Sequence, residues 1–269
     1  MTRQVPRPEA NLRPTLVIRE LASPKEFLET MDVSEDAWDF APRMVPPVSD
    51  LVAGTHAGGL TAGVFEGKRM LGFVHGLPRV NMGQPCQHSH LLAVRREAQG
   101  RGLSTLLKLF QRAWCLDREI RLVTWTYDPF LLKNASLNLV KLRAHVRRLL
   151  PNFYGEMGGI YGHLPSDRFE VNWRLEDREV QRAAAGDPTL KTPALEGIPT
   201  FRPRSEKNPS RVVLPFPAGA PGTYKTDPEG AMRARRVFAK GANALFAAGF
   251  QGVSVGVRAD GHCYLFRKR

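Results

Sequence analysis

From Leu103 to Arg118 the apolar residues Leu103, Leu106, Leu107, Phe110 and Trp114 recur at helical spacing, with Lys108, Gln111 and Arg112 between them. That pattern predicts an amphipathic helix. The stretch before it, His88 to Val94, is apolar and strand-like and runs into a glycine-containing turn, Arg95 to Gly102. The stretch after it, Arg121 to Tyr127, is rich in β-branched and aromatic residues and stops at Asp128-Pro129, the composition of a strand and its end. Asn134 to Leu150 follows a helical pattern through Leu137, Val140 and Leu142, with Pro151 as its stop. Phe169 to Leu175 alternates as a strand does.

Upstream, Thr15 to Leu21 is expected as a first strand, and Ser23-Pro24 opens a helix over Lys25 to Trp38, with serine as cap and proline in the first turn. Pro42 and Pro46-Pro47 interrupt the chain. Leu60 to Phe65 and Met70 to Gly76 then form a hairpin around Glu66 to Arg69. Beyond Glu176 prolines accumulate and apolar clusters thin out, so residues 176–211 are expected as a linker or long excursion. The last part, 212–269, offers a strand at Val212 to Leu214 and a helix from Ala231 to Ala248 closed by Gly249. Two strands end it, Gln251 to Val257 and Cys263 to Arg267. These strands either extend the main sheet or build a small second domain. Residues 1–14 are expected to be disordered, with no apolar segment of the kind a secretory signal carries.

Of the 269 residues, 42% are hydrophobic and 24% charged, an ordinary soluble composition, and no apolar run reaches the roughly 20 residues needed to cross a bilayer. The three cysteines, Cys86, Cys115 and Cys263, lie far apart without metal-ligand spacing, which favours a reducing compartment. The close pair His88 and His90 lacks companion ligands, and no metal is expected. A net charge of +13 raises the question of nucleic acid, but the basic residues are spread and mixed with acids. Solvated helix faces and a polyanionic cofactor explain the charge more simply.

The segment Gln99-Gly100-Arg101-Gly102-Leu103-Ser104-Thr105 carries the clearest chemical signal. Small residues at the start of a helix let backbone N–H groups turn toward an anion, where the unpartnered first-turn donors and the helix dipole act together. A pyrophosphate suits such a place. A dinucleotide-binding glycine motif is set aside, because Thr105 stands where its third glycine is needed.

This segment resembles the acyl-CoA signature of the GNAT superfamily, in which Gln or Arg, two residues, Gly, one residue and a small residue follow one another. Gln99 and Gly102 match it, and Ser104 replaces the final Gly or Ala with another small side chain. The surrounding order of strand, loop, long helix, strand and a helix starting near Asn134 is also similar, and the resemblance covers about residues 15–175. Ser89 to Val94, Asn134 to Asn138, Phe153-Tyr154-Gly155 and Ser166 to Phe169 are similar to a larger GNAT subfamily with a C-terminal extension. The resemblance implies an α/β fold with a mixed, mostly antiparallel twisted sheet flanked by helices. It further implies acetyl-CoA or another acyl-CoA, with succinyl-CoA included, as co-substrate, bound by Leu92, Val94, Gln99, Gly100, Arg101, Gly102, Leu103, Ser104, Thr105 and Asn134.

Direct attack of an amine on the thioester needs a base for the amine, support for the oxyanion and a proton for the thiolate. If His88, His90, Leu92 and Val94 share one face of the strand, either histidine can serve as base, and His90 is preferred to His88. The resemblance places a tyrosine acid seven residues after the helix-opening Asn, but this chain has Lys141 there, so Tyr154 and Tyr161 become the candidates. Arg168 meets either a substrate carboxylate or a structural acid. The resemblance points to N-acylation of a small amine, an amino acid in first place, by a cytoplasmic homodimer that touches neither membrane nor nucleic acid. The alternatives are a non-catalytic acyl-CoA-binding module of the same fold and a basic RNA-binding protein.

Overall fold

The structure is a computed structural model that describes residues 16–40, 44–156, 164–202, 209–216 and 227–269. Ten strands form one sheet in the order β1-β2-β3-β4-β5-β7-β6-β9-β10-β8. These are β1 (Leu16–Glu20), β2 (Leu60–Glu66), β3 (Arg69–Asn81), β4 (Gln84–Val94) and β5 (Leu122–Tyr127), then β6 (His145–Leu150), β7 (Arg168–Arg174), β8 (Arg211–Pro215), β9 (Phe250–Arg258) and β10 (Gly261–Lys268). Every neighbouring pair is antiparallel except β4 and β5. The mixed, mostly antiparallel sheet that the resemblance implied is therefore present.

Helices cover both faces. On one side α1 (Pro24–Trp38) and α2 (Val48–His56) pack on the central strands through Phe27, Val33 and Leu51 against Phe65, Met70, Phe73 and Ala93. Ser23 caps α1 by accepting from the Glu26 N–H, with Pro24 in the first turn. The helix α2 was not foreseen, because its Val-Ser-Asp-Leu-Val-Ala-Gly-Thr-His stretch is short and its glycine argues for a loop. On the other side α3 (Leu103–Leu116) places Leu103, Leu107 and Trp114 in the main core, which α6 (Pro228–Ala247) joins through Phe238, Ala242 and Leu245. No helix among the described residues is long and apolar enough to cross a membrane.

Two segments depart from their expected form. Asn134 to Leu150 is not one helix: α4 (Leu132–Ala135) passes into a π-helical turn over Ser136–Lys141, and the chain then continues as β6. Arg143 takes a left-handed φ of 57°, which ends the helical path, and the register of β6 against β7 shifts between Val146 and Arg148, so that Val146 and Leu149 both reach the core. Short apolar runs read equally well in either period. The proline-rich stretch after Glu176 carries α5 (Arg178–Ala184) and buries Leu195 and Ile198 against Val213, Cys263 and Leu265.

The C-terminal strands extend the main sheet. Val146 of β6 pairs with Gly252 of β9, and a Cβ on residue 252 would lie 3.1 Å from the Val146 Cβ. Glycine at 252 therefore permits the close approach that joins the two parts. The tie is reinforced from α6, where Arg235 reaches the buried Asp128 carboxylate at 3.1 Å, and from β10, where the Tyr264 hydroxyl donates to the Pro129 carbonyl at 2.6 Å.

Candidate functional site

The two parallel strands at the centre of the sheet hold together over only Gln87↔Val123 and His88↔Thr124, after which they part. A parallel pair that separates leaves backbone N–H and C=O groups of both strands facing a wedge instead of each other, and such groups need other partners. The wedge contains a cavity of about 300 Å³. Ser89, His90 and Leu92 line it from β4, and Trp125, Thr126 and Tyr127 from β5. Lys108 of α3, Asn134 of α4 and Asn138 line it too, as do Tyr154 and Arg168. Trp38, Phe40 and Met44, around and after the end of α1, belong to the lining as well.

The face-sharing expected for His88, His90, Leu92 and Val94 does not hold. The register against β3 shifts between Gly76↔Ser89 and His75↔Leu91, so His90 is an extra residue and alternation changes phase across it. Leu92 and Val94 pack with the α3 core, while Leu91 and Ala93 pack with α1 and α2. The histidines instead gather with one another, with ring centroids 6.1 Å apart for His88 and His90 and 6.4 Å for His75 and His90. Burial first, then neighbouring His90, pushes His75 and His88 down to about 4, so both are neutral near pH 7. His90 is exposed on the bulge, its affinity for a proton lowered by desolvation among its neighbours with Asp50 opposing, and it alone of His88 and His90 lines the cavity. His75 is held by Thr61 at 2.8 Å, and His88 stands 3.5 Å from the Thr124 hydroxyl.

Beyond Val94 the chain makes a 3-10 turn at Arg96–Ala98 and enters α3 through Gly100 and Gly102, at φ 83° and 81°. Both values lie in the left-handed region open to glycine at little cost. Gly102 is the N-cap of α3 and no side chain caps the helix, so the Leu103 and Ser104 N–H groups stay available, while the Thr105 N–H donates to the Gly102 carbonyl at 3.0 Å. The Gln99 amide instead donates to the Val94 carbonyl at 3.2 Å, and Arg101 pairs with Glu66 at 2.6 Å, fixing the turn between β4 and β2. The turn does not line the cavity itself. It is joined to it by α3, since Lys108 lies on the order of 8 Å along the axis from the helix start.

The sequence pattern set Lys108 and Gln111 on the polar side of α3, yet both are buried. Lys108 Nζ donates to Ser89 Oγ at 3.0 Å and Gln111 Oε1 at 2.8 Å, and it lies 3.8 Å from the Trp125 ring centroid. Gln111 in turn bonds Gln87 and Ser89 of β4. Burial pulls the Lys108 ammonium down to about 7, and no carboxylate among the described residues pairs with it. A signal for this network existed in the sequence: Lys108, Gln111 and Cys115 follow one another at helical spacing, and Gln87 and Ser89 at strand spacing.

Of the other expected residues, Leu92, Asn134 and Tyr154 meet His90 at the cavity, whereas Tyr161 lies outside the described residues. The Tyr154 hydroxyl is 3.3 Å from that of Thr126. Lys141, where the resemblance puts a tyrosine, is exposed and does not line the cavity. Arg168 approaches the structural acid Asp128 at 3.7 Å and lines the cavity as well. Among the described residues no group of His, Cys, Asp or Glu could hold a metal ion.

No family model and no curated protein matches this chain. Among solved structures, a protein of the GNAT family of acetyltransferases from Desulfovibrio desulfuricans matches at a TM-score of 0.50 and 16% identity, covering 60% of this chain and 99% of its own. The ribosomal-protein-S18-alanine N-acetyltransferase from Escherichia coli matches at a TM-score of 0.49 and 13% identity, covering 60% of this chain and 94% of its own. The first likeness spans nearly the whole of the bacterial protein and shows that the chain contains the GNAT fold.

Proposed function

We propose that this chain, built on the GNAT fold, is an acyl-CoA-dependent N-acyltransferase that moves an acetyl or succinyl group to the amine of a small molecule, an amino acid in first place. One observation carries the reading: β4 and β5 part directly after His88↔Thr124, and the end of β4 leads through the turn at 95–102 into an uncapped helix start. A wedge lined by unpaired strand edges suits an extended pantetheine arm, which can bond to strand backbone as a further strand would. The helix start suits the pyrophosphate at its far end.

In this reading the N–H groups of residues 102–104 and the Thr105 hydroxyl hold the pyrophosphate, with Gly100 and Gly102 giving the backbone its turn. Leu92, Val94 and Asn134 contact the arm along the wedge. The bulge at His90 turns this side chain to the cavity, where a neutral imidazole can accept the proton of the attacking amine, directly or through a water. Burial keeps His88 and His75 neutral behind it, so neither histidine adds a positive charge that opposes that step. Tyr154 closes the cavity on the opposite side, and Tyr161 is retained as a second candidate acid.

The experiment is release of free thiol from acetyl-CoA and succinyl-CoA in the presence of a panel of amino acids and polyamines. Amine-dependent thiol release with one of the donors supports the enzyme. CoA binding without thiol release for any acceptor in the panel would favour a binding module of the same fold.

A further inference from the structure

We propose that Lys108 is the cation that receives the CoA thiolate when the thioester breaks, holding the sulfur and returning its proton. The proposal rests on reading the wedge between β4 and β5 as the thioester site.

Four features single out this residue. Lys108 is about 1% exposed, and it lines the cavity. It touches both arms of the wedge at the point where they part, with Ser89 of β4 at 3.0 Å and the Trp125 ring of β5 at 3.8 Å. Its bonding partners, Ser89 and Gln111, are neutral, and no carboxylate among the described residues offsets it. A buried cation without a counter-ion is costly, and interior positions seldom keep one unless something draws on it. The contrast within this chain is direct, because the buried guanidiniums Arg168 and Arg235 both face Asp128.

The reaction supplies the missing anion. As the amine nitrogen bonds to the carbonyl carbon, the C–S bond breaks and its electron pair passes to sulfur, creating negative charge where a neutral thioester lay. A cation already paired with a carboxylate would gain little at that moment, whereas an unpaired one is stabilised by the charge that develops. Lys108 holds the thiolate as an ammonium while CoA is bound and gives the sulfur a proton as the product leaves, and the neutral amine then regains one from the proton that the attacking nitrogen sheds. The burial that lowers its affinity for the proton makes this transfer easier than for a solvated lysine. Tyr154 is the less suited donor, since it is 42% exposed and faces the Thr126 hydroxyl. Lys141 does not reach the cavity.

The test uses the product CoA and the full chain, and needs no acceptor. The ultraviolet absorbance of the thiolate of bound CoA is followed across pH, with desulfo-CoA as the blank. In the wild type the bound thiol is expected to titrate about one pH unit or more below free CoA, a roughly tenfold shift, because an adjacent cation favours the thiolate. Lys108→Met should move it back to the free value or above, while Lys108→Arg keeps it low. A bound thiol in the wild type that titrates with free CoA overturns the proposal whatever the variants do. So does equal titration in wild type and Lys108→Met. Loss of affinity for succinyl-CoA alone in Lys108→Met, with the thiol unshifted, would assign the cation to the acyl end instead. Absence of CoA binding would remove the reading of the wedge itself, a different failure from an unshifted thiol on bound CoA.

Discussion

Lys108 Nζ donates to Ser89 Oγ across 3.0 Å, tying the second turn of α3 to the first residue of β4 beyond its pairing with β5. The contact joins the helix whose start is offered to the pyrophosphate with the strand that carries His90. It also puts a titratable group in the core, and this has a measurable cost.

Lys108→Met is expected to stabilise the protein, because a thioether of similar length replaces a buried amine. The folded chain holds this lysine at about 7 and the unfolded chain near its ordinary range, so between those values the unfolded state binds more protons. The wild type should therefore gain stability as pH rises through that window, by up to ~1.4 kcal/mol per unit, and the advantage of methionine should shrink accordingly. Urea denaturation of both proteins at pH 7 and 9 measures it. An advantage that does not change with pH would mean that Lys108 titrates normally.

Acid should weaken the fold early. His75 and His88 are lowered to about 4 by burial, so as pH falls from their unfolded value near 6.5 the unfolded chain takes up protons that the folded chain refuses. Each costs up to ~1.4 kcal/mol per pH unit across that window. Thermal melts between pH 7 and 4 should show this loss. His75→Asn should reduce its slope, and an unaltered slope would exclude His75 as a source.

The extension should stabilise the cavity wall through one ion pair. Arg235→Met removes the guanidinium 3.1 Å from the buried Asp128, which follows β5 and lines the cavity. Breaking a buried pair by deleting one partner costs on the order of 3–5 kcal/mol. Denaturant titration should read a loss of that size, and a loss below about 1 kcal/mol would show that Arg168 alone satisfies the carboxylate.

His90→Ala should lower kcat about 100-fold or more while leaving CoA affinity unchanged, the range expected for loss of a positioned base. Steady-state kinetics with the acceptor found by the thiol-release panel provide the comparison. Unchanged turnover would move the base elsewhere in the histidine group.

Much of this was legible from the chain. Glycines at 100 and 102 ahead of an amphipathic run located the helix start, since few residues other than glycine accept φ near 80°. The hairpin at Glu66 to Arg69 and the last helix and strands were marked by their turns and periods. The histidine face was not legible, because it depends on a bulge against β3 that no local pattern announces. Lys108 was hidden for a related reason. A lysine between apolar residues is nearly always solvated, and only the packing of α3 against Gln87 and Ser89 turns it inward. The strand at His145 to Leu150 was lost to the ambiguity of a short apolar run, decided by its place between β7 and β9.

Calorimetric titration of the whole chain with CoA, beside Gly102→Val, tests the central claim most directly. Residue 102 has open space around it but a φ of 81°, so valine costs roughly 1–2 kcal/mol of backbone strain without a clash and should leave the fold intact. Micromolar binding to the wild type, about −8 kcal/mol, with a tenfold or greater loss in a folded Gly102→Val is the expected result. No binding to the wild type, or equal binding to both, would contradict a CoA site built on the wedge and the start of α3.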